Sequence, residues 1–155
     1  MGNKNIFENE NIKLRLINLE YGYKQKFASS DPKVIQEAKK DFEEDIRRIY
    51  KEETHQELSQ NIEIYTSKEL VHQNKESGYD GTAIHIVDKK HEVNQLQIIS
   101  EGSADNKDWT YNFFGLFLGM DDSQYNATKE FTREAKKKAG KERIVWGIHL
   151  PIIIK

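Results

Sequence analysis

The polar and apolar positions follow a helical period most clearly between residues 31 and 54. Four apolar side chains recur there at intervals of three and four: Ala38, Phe42, Ile46 and Ile49. Lysine, arginine and glutamate fill most positions between them, as on a helix whose other face meets solvent. Asp31 is suited to cap such a helix and Pro32 to occupy its first turn. The pattern predicts a long amphipathic helix beginning at Pro32.

The segment before this helix is apolar but has no clean period. Its apolar side chains are Ile12, Leu14, Leu16, Ile17, Leu19, Tyr21, Tyr23 and Phe27. Gly22 interrupts the run and weakens a prediction of one continuous helix, because glycine is a poor helix former. We interpret residues 1–60 together as a helical N-terminal part.

Strand patterns follow. Ala83–Val87 and Gln95–Ile99 are apolar and rich in branched side chains, and the short polar stretch Asp88–Glu92 separates them. So short a connection predicts an antiparallel hairpin. Ile62–Tyr65 is interpreted either as a short strand or as an extended connection.

The last part combines a helix with a further strand. After the aromatic stretch Trp109–Met120, capping residues at 121–123 predict a helix that runs to about Ala139 and stops at Gly140. Three side chains form its apolar face: Ala127, Phe131 and Ala135. Arg143–Trp146 is predicted to be a strand. At 155 residues one domain is expected, and its fold class is α/β.

Composition narrows the functional classes. A net charge of −2, from 24 basic and 26 acidic residues, gives no reason to expect a nucleic-acid partner. The chain has no cysteine, so a disulfide framework and a cysteine zinc site are excluded. The N-terminus lacks the apolar core of a signal peptide, and no apolar run is long enough to span a membrane. A cytoplasmic location is the simplest expectation.

One motif gives a more specific indication. The second strand of the hairpin runs into Gly102-Ser103, and Asp108-Trp109 and Asn112 follow within ten residues. Together with the strand, helix and strand around it, this arrangement resembles the class 3 lipase family and the lipase-like proteins of Gram-positive bacteria. The resemblance covers residues 78–147. The alternative is that Gly102-Ser103 is an ordinary turn and Trp109 an ordinary core residue.

The resemblance implies an incomplete α/β-hydrolase-like sheet and a role for each motif residue. In that family the serine or threonine after the glycine helps to form the oxyanion hole, a place that Ser103 takes here beside Gly102. Asp108, Trp109 and Asn112 correspond to the family's structural motif. The family usually has arginine where this chain has Glu101, which puts a negative charge beside the expected anionic site.

The family's nucleophile elbow is missing from this sequence. The family continues from the last strand into Gly-His-Ser-Leu, whereas this chain reads Gly147-Ile148-His149-Leu150 and ends at Lys155. Read from the third base of the Trp146 codon, the possible codons of the tail are compatible with Gly-His-Ser-Leu-Ala. We therefore predict that residues 148–155 are a frameshifted tail. The alternative is a true C-terminal strand with Pro151 at an edge.

The other candidate chemistry is weaker. An improvised catalytic triad from Ser100, Ser103, His85, His91, Asp105 and Asp108 would need three independent geometric agreements. The five histidines, which also include His55, His72 and His149, have no metal-ligand spacing. We expect no metal, no cofactor and no catalytic residue in the chain.

The sequence therefore favours a truncated, catalytically inactive relative of a serine esterase or lipase. A small-molecule ester or lipid is expected as ligand only for the complete parent protein. The alternative is a non-catalytic module that binds a protein partner, or a second copy of itself, through an exposed apolar sheet edge.

Overall fold

The computed structural model describes residues 9–73, 75, 76, 78–88, 93–101, 122–140, 148 and 149. They form four helices and four strands in a mixed order. The elements are α1 (Glu10–Phe27), α2 (Pro32–Thr54), β1 (Asn61–Thr66), α3 (Ser67–Leu70), β2 (Asp80–Asp88), β3 (Val93–Glu101), α4 (Asp122–Lys138) and β4 (Ile148–His149).

Local side-chain chemistry sets the ends of the long helices. The Asn9 side chain accepts hydrogen bonds from the backbone N–H groups of Asn11 and Ile12, and the Asp31 side chain accepts one from Lys33 at 2.9 Å. Each cap satisfies donors that a helix N-terminus would otherwise leave without partners. The prediction of α2, with Asp31 as its cap and Pro32 in its first turn, is confirmed.

α1 is continuous through Gly22, contrary to the weakening expected there. Its buried side chains recur every four residues at Ile12, Leu16 and Glu20. Because a glutamate occupies the third position of this face, the apolar period is broken in the sequence although the helix is regular. The Thr82 hydroxyl of β2 donates a hydrogen bond to the Glu20 carboxylate at 3.1 Å.

α1 and α2 pack side by side through an aromatic cluster. The ring centroids of Tyr23, Phe27 and Phe42 lie 5.2–5.6 Å apart, in stacked and tilted arrangements that suit aromatic pairs. The Tyr23 hydroxyl donates to the Asp45 carboxylate at 2.7 Å. Burial first, and that hydrogen bond second, raise the pKa of Tyr23.

The four strands form one sheet in the order β1-β2-β3-β4. β1 and β2 are antiparallel, with Thr66 opposite Thr82, and β2 and β3 are antiparallel, with Asp80 opposite Glu101. The predicted hairpin is confirmed. β1 settles the interpretation of residues 62–65 in favour of a strand.

β3 and β4 are parallel, with Ile98 opposite Ile148 and Ile99 opposite His149. The chain between them includes α4, the crossover helix that a parallel pair requires. The predicted strand Arg143–Trp146 lies outside the described residues. The described strand β4 falls instead within the tail segment 148–155.

Helices cover both faces of the sheet. On the α1–α2 face, Ile62, Ile64, Ile84, Ile86 and Ile99 meet the two N-terminal helices. On the α4 face, Ala83, Leu96 and Ile98 meet α4 through the predicted stripe of Ala127, Phe131 and Ala135, all fully buried. Successive side chains alternate between these faces, as the pleat of a strand requires. The fold mixes helices and a small, mostly antiparallel sheet, which places it broadly in the α/β class.

Candidate functional site

The residues that the motif singled out follow the end of β3. Gly102, Ser103, Asp108, Trp109 and Asn112 lie outside the described residues, as does the rest of the aromatic stretch to residue 120. β3 is described as far as Glu101, the residue directly before Gly102. The roles expected for Gly102 and Ser103 stay predictions.

Three strands end at the same edge of the sheet. β1 and β3 both run antiparallel to β2, and β4 runs parallel to β3. The carboxyl ends of β1, β3 and β4 therefore share one edge with the start of β2. Ligands of open α/β sheets commonly bind outside the carboxyl ends of strands, so this edge is where a site is expected.

A cleft of about 500 Å³ lies at this edge, between the end of α1, the helix α3 and the start of β2. Its volume is within the usual range for small-molecule sites. The described residues that line it are Lys24, Phe27, Ala28, Thr66, Ser67, Lys68, Val71, Lys75, Gly78, Tyr79 and Asp80. We call it the sheet-end cleft.

Polar contacts hold α3 against its neighbours at the floor of the cleft. The Lys68 ammonium group donates to the backbone carbonyls of Ala28 at 2.8 Å and Ser29 at 2.6 Å. The Ser67 hydroxyl accepts a hydrogen bond from the Gly81 N–H at 3.1 Å. The Glu69 side chain accepts from both the N–H and the hydroxyl of Thr66. These bonds fix the backbone where β1 passes into α3.

The Tyr79 ring forms another wall and requires a glycine beside it. A Cβ atom at position 81 would collide with the Tyr79 ring, so Gly81 allows that ring to lie against the first residues of β2. The same ring packs at 5.8 Å from the Phe131 ring of α4. The cleft wall is therefore joined to the α4 face of the sheet.

Among the described lining residues, Asp80 is the only carboxylate. Burial raises the pKa of its carboxyl group, and the nearby Lys24 ammonium opposes that shift. The Lys24–Asp80 distance of 3.9 Å is longer than a charge-assisted hydrogen bond. With Lys24, Lys68 and Lys75 on the walls, the lining carries three positive charges against one negative charge.

Sequence reasoning missed the sheet-end cleft. Its three lysines come from α1, from α3 and from the connection before β2, and they are separated by 44 and 7 positions in the chain. No motif links them, and solvated lysines are common on any soluble protein. Only the packing of α1 beside α3 brings them together.

His85 lies in a second polar cluster, on β2. It is buried, its Nδ1 atom is 3.5 Å from the Glu63 carboxylate, and its ring stacks on Tyr65. The Tyr65 hydroxyl donates to Glu63. Burial first, and the contact with Glu63 second, raise the pKa of Tyr65. A histidine beside a carboxylate has the form of an oriented general base.

The His85 cluster is far from Ser100, the candidate serine whose backbone the structure describes. Ser100 is opposite Gly81, four residues along β2 from His85. Four residues of strand span about 13 Å, well beyond hydrogen-bond reach. The remaining members of the improvised triad, Ser103, His91, Asp105 and Asp108, lie outside the described residues.

The other described histidines have structural positions. His55 ends α2 in the left-handed conformation with a φ of 60°. The backbone N–H of His72 donates to the Glu130 carboxylate of α4 at 2.6 Å, and that of Gln73 donates at 3.2 Å. His149 is described as part of β4.

The described residues also bear on metal binding and membrane insertion. No group of three or more His, Asp or Glu side chains in that part of the chain is arranged to hold a metal ion. None of its helices combines the length and the apolar character needed to cross a bilayer.

Comparison with known proteins relates the chain to one family. Residues 11–148 match the family described as "Domain of unknown function (DUF6792)". The chain is also 72% identical over 149 residues to the putative uncharacterized protein YvcB of Bacillus subtilis (strain 168), in an alignment covering 90% of this chain and 23% of YvcB. The chain thus spans less than a quarter of that relative. No solved structure matches it significantly. By its match along residues 11–148, the chain belongs to the DUF6792 family.

Proposed function

We propose that this chain is a lipase-like α/β domain, related to serine esterases, that does not hydrolyse esters by itself. The observation that supports the proposal is the parallel pairing of β3 with β4 at the sheet edge where β3 ends, directly before Gly102-Ser103 in the sequence. The relationship is carried by the motif residues and by this topology.

The pairing suits the chemistry of a serine hydrolase. In such enzymes one oxyanion donor comes from a loop after a strand, and the nucleophile stands on a sharp turn after another strand. Both turns must emerge close together, because the donor has to lie about 3 Å from the developing negative charge. Neighbouring parallel strands lie about 5 Å apart and end on the same side. β4 lies within the tail that stands in place of the elbow, and its pairing with β3, with Ile99 level with His149, brings that tail beside the end of β3.

The proposed inactivity follows from what the tail contains. A serine nucleophile needs an elbow that exposes it and a base that accepts its proton. Residues 147–155 carry no serine, and the chain has no Gly-x-Ser-x-Gly sequence. An oxyanion-hole loop without a nucleophile can hold a carbonyl oxygen but cannot form an acyl-enzyme.

Ester turnover tests the proposed inactivity directly. The wild-type chain and Ser103→Ala are to be compared with short-chain nitrophenyl esters and with a fluorophosphonate probe. We expect no turnover above the buffer rate and no covalent labelling in either protein. Turnover by the wild type that Ser103→Ala abolishes would overturn the proposal.

The nucleotide sequence of the gene tests the proposed frameshift in the tail. The frameshift hypothesis predicts codons that read Gly-His-Ser-Leu from the third base of the Trp146 codon. A stop or a different residue in place of the serine codon would refute it and leave the tail as a true C-terminal strand. This result is independent of the ester assay.

The second candidate is a self-associating or protein-binding module, favoured by the position of β1 at one edge of the described sheet. An added strand could pair with its outer side. Glu63, whose side chain is 47% exposed on β1, opposes this, since edge charges discourage such pairing. Light scattering at high protein concentration is the test: a monomer without a co-purifying partner would count against this function.

A further inference from the structure

We propose that the sheet-end cleft binds a small phosphate monoester, with the phosphate against Lys68 and Lys75 and an apolar body against Phe27 and Val71. This inference does not rest on the proposed lipase-like relationship, because the described lining residues all lie between Lys24 and Asp80. It assigns a ligand class to a surface for which the family description gives none.

The charge of the cleft lining matches that of a phosphate monoester. Three lysines and one aspartate are among the described residues that line the cleft, so these residues carry a net charge of +2 when Asp80 is ionised. A phosphate monoester carries about −1.5 to −2 near pH 7. The two charges match, whereas a monocarboxylate would leave one positive charge uncompensated.

The ammonium group of Lys68 is held in a fixed position. It has three N–H donors, and two of them bind the carbonyl oxygens of Ala28 and Ser29. The group is therefore held in one place before any ligand arrives, and one donor remains for an anion. A pre-positioned donor loses less side-chain freedom on binding than a mobile one.

The sheet-end cleft combines charged and apolar surface. Phe27, Ala28 and Val71 share the lining with the lysines, and the Tyr79 ring adds an aromatic surface. Small-molecule sites commonly join an apolar wall to a few convergent polar groups. Inorganic phosphate would use only part of such a cleft, and a wholly apolar molecule would leave the lysines without an anion.

The position of the cleft in the sheet is also typical of a ligand site. Thr66 and Ser67 stand where β1 ends, and Asp80 starts β2 opposite the last residue of β3. This is the sheet edge at which ligands of α/β proteins usually bind. Asp80 combines a raised pKa with a place in the cleft, a feature that concentrates at functional sites.

The test is a set of calorimetric titrations of the full chain at low salt. Hexyl phosphate is the main probe, and hexanol, hexanoate and inorganic phosphate are the comparisons. We expect hexyl phosphate to bind at least tenfold more tightly than each comparison, and its affinity to fall as salt is raised, because salt screens the lysines. Equal binding of hexanol, or an affinity independent of salt, would overturn the proposal.

Matched variants locate the site. Lys75→Gln should weaken hexyl phosphate binding about tenfold, whereas Lys51→Gln, the same change at an exposed lysine paired with Glu57 outside the cleft, should leave it unchanged. Asp80→Asn should strengthen binding, because it removes a negative charge from the cleft lining. An increase in affinity cannot come from misfolding. Equal effects of Lys75→Gln and Lys51→Gln would overturn the assignment.

A vesicle experiment separates a soluble ligand from a lipid headgroup. Binding of hexyl phosphate but not of phosphatidic acid vesicles would support a soluble phosphate monoester. Binding of the vesicles with no binding of hexyl phosphate would overturn the proposal. Both readouts are independent of ester turnover, so the failure of either proposal can be recognised without the other.

Discussion

The two faces of the sheet are packed by different means. On the α1–α2 face, large side chains meet large side chains, and aromatic rings from both helices join a layer of isoleucines. On the α4 face the helix contributes two alanines and one large apolar side chain, Phe131, and Ala139 follows directly after the helix. Small side chains let a helix approach a sheet closely but bury less apolar area per residue. The α1–α2 face therefore contributes more of the stability, and the α4 face depends more on close fit and on specific hydrogen bonds.

The largest expected effect is on the α1–α2 face. Phe42 is fully buried between both helices and the sheet. Phe42→Ala removes its contacts and leaves a cavity, so we expect the free energy of unfolding to fall by roughly 3–5 kcal/mol. Urea denaturation measures it. A loss below about 1 kcal/mol would show that this face is not the main core.

The close fit of the α4 face can be tested by adding volume. Ala135 is fully buried, so Ala135→Leu should reduce stability by about 1–3 kcal/mol through overpacking. The matched control is Arg133→Leu, an exposed position on the same helix, with an expected change within about 0.5 kcal/mol. If Ala135→Leu were neutral or stabilising, the helix would not be closely packed.

The hydrogen bonds of the α4 face have an equally specific test. Glu130 is buried and accepts from two backbone N–H groups after α3. Glu130→Ala leaves those donors without an acceptor, at an expected cost of about 1–3 kcal/mol. Glu134→Ala, which removes only a surface ion pair with Lys137, should cost less than about 1 kcal/mol. Similar losses from both variants would show that Glu130 does not hold the two segments together.

The smallest expected effect on stability is that of Asp80 at the sheet end, and this effect depends on pH. Burial raises the folded-state pKa of Asp80 above its unfolded value, so ionisation destabilises the fold. This destabilisation is absent below the unfolded pKa and grows as pH rises through the folded pKa. Asp80→Asn should thus be more stable than wild type at pH 7, with a difference that closes towards pH 3. Thermal unfolding from pH 3 to 8 measures it. A variant less stable than wild type at pH 7 would mean that pairing with Lys24 outweighs burial.

Particular residues show why sequence patterns predicted one helix more clearly than another. α2 was predictable because its apolar period, its cap at Asp31 and its first-turn proline all agree locally. α1 was less clear, because its buried face includes Glu20. The Glu20 carboxylate accepts a hydrogen bond in the core from the Thr82 hydroxyl, and Thr82 lies 62 residues further along the chain. A pattern that scores only apolar periodicity cannot recognise such a position.

The candidate site was predictable only in part. The sequence located the end of β3, and the expected oxyanion loop after it stays a prediction. It gave no indication of the sheet-end cleft, because no local pattern relates Lys24, Lys68 and Asp80. Burial around Asp80 and the contact of Lys68 with the end of α1 exist only after the helices pack.

The sequence by itself determined the elements whose causes are local. Side-chain period set the faces of α2 and α4, capping residues set helix ends, and a short polar turn set the β2–β3 hairpin. The tertiary structure decided the strand order, the parallel pairing of β3 with β4, the Glu130 hydrogen bonds and the sheet-end cleft. The physical reason is that a sequence pattern is local. A helical or strand period shows only which side of an element is apolar. Which distant element covers that side depends on packing of the whole chain.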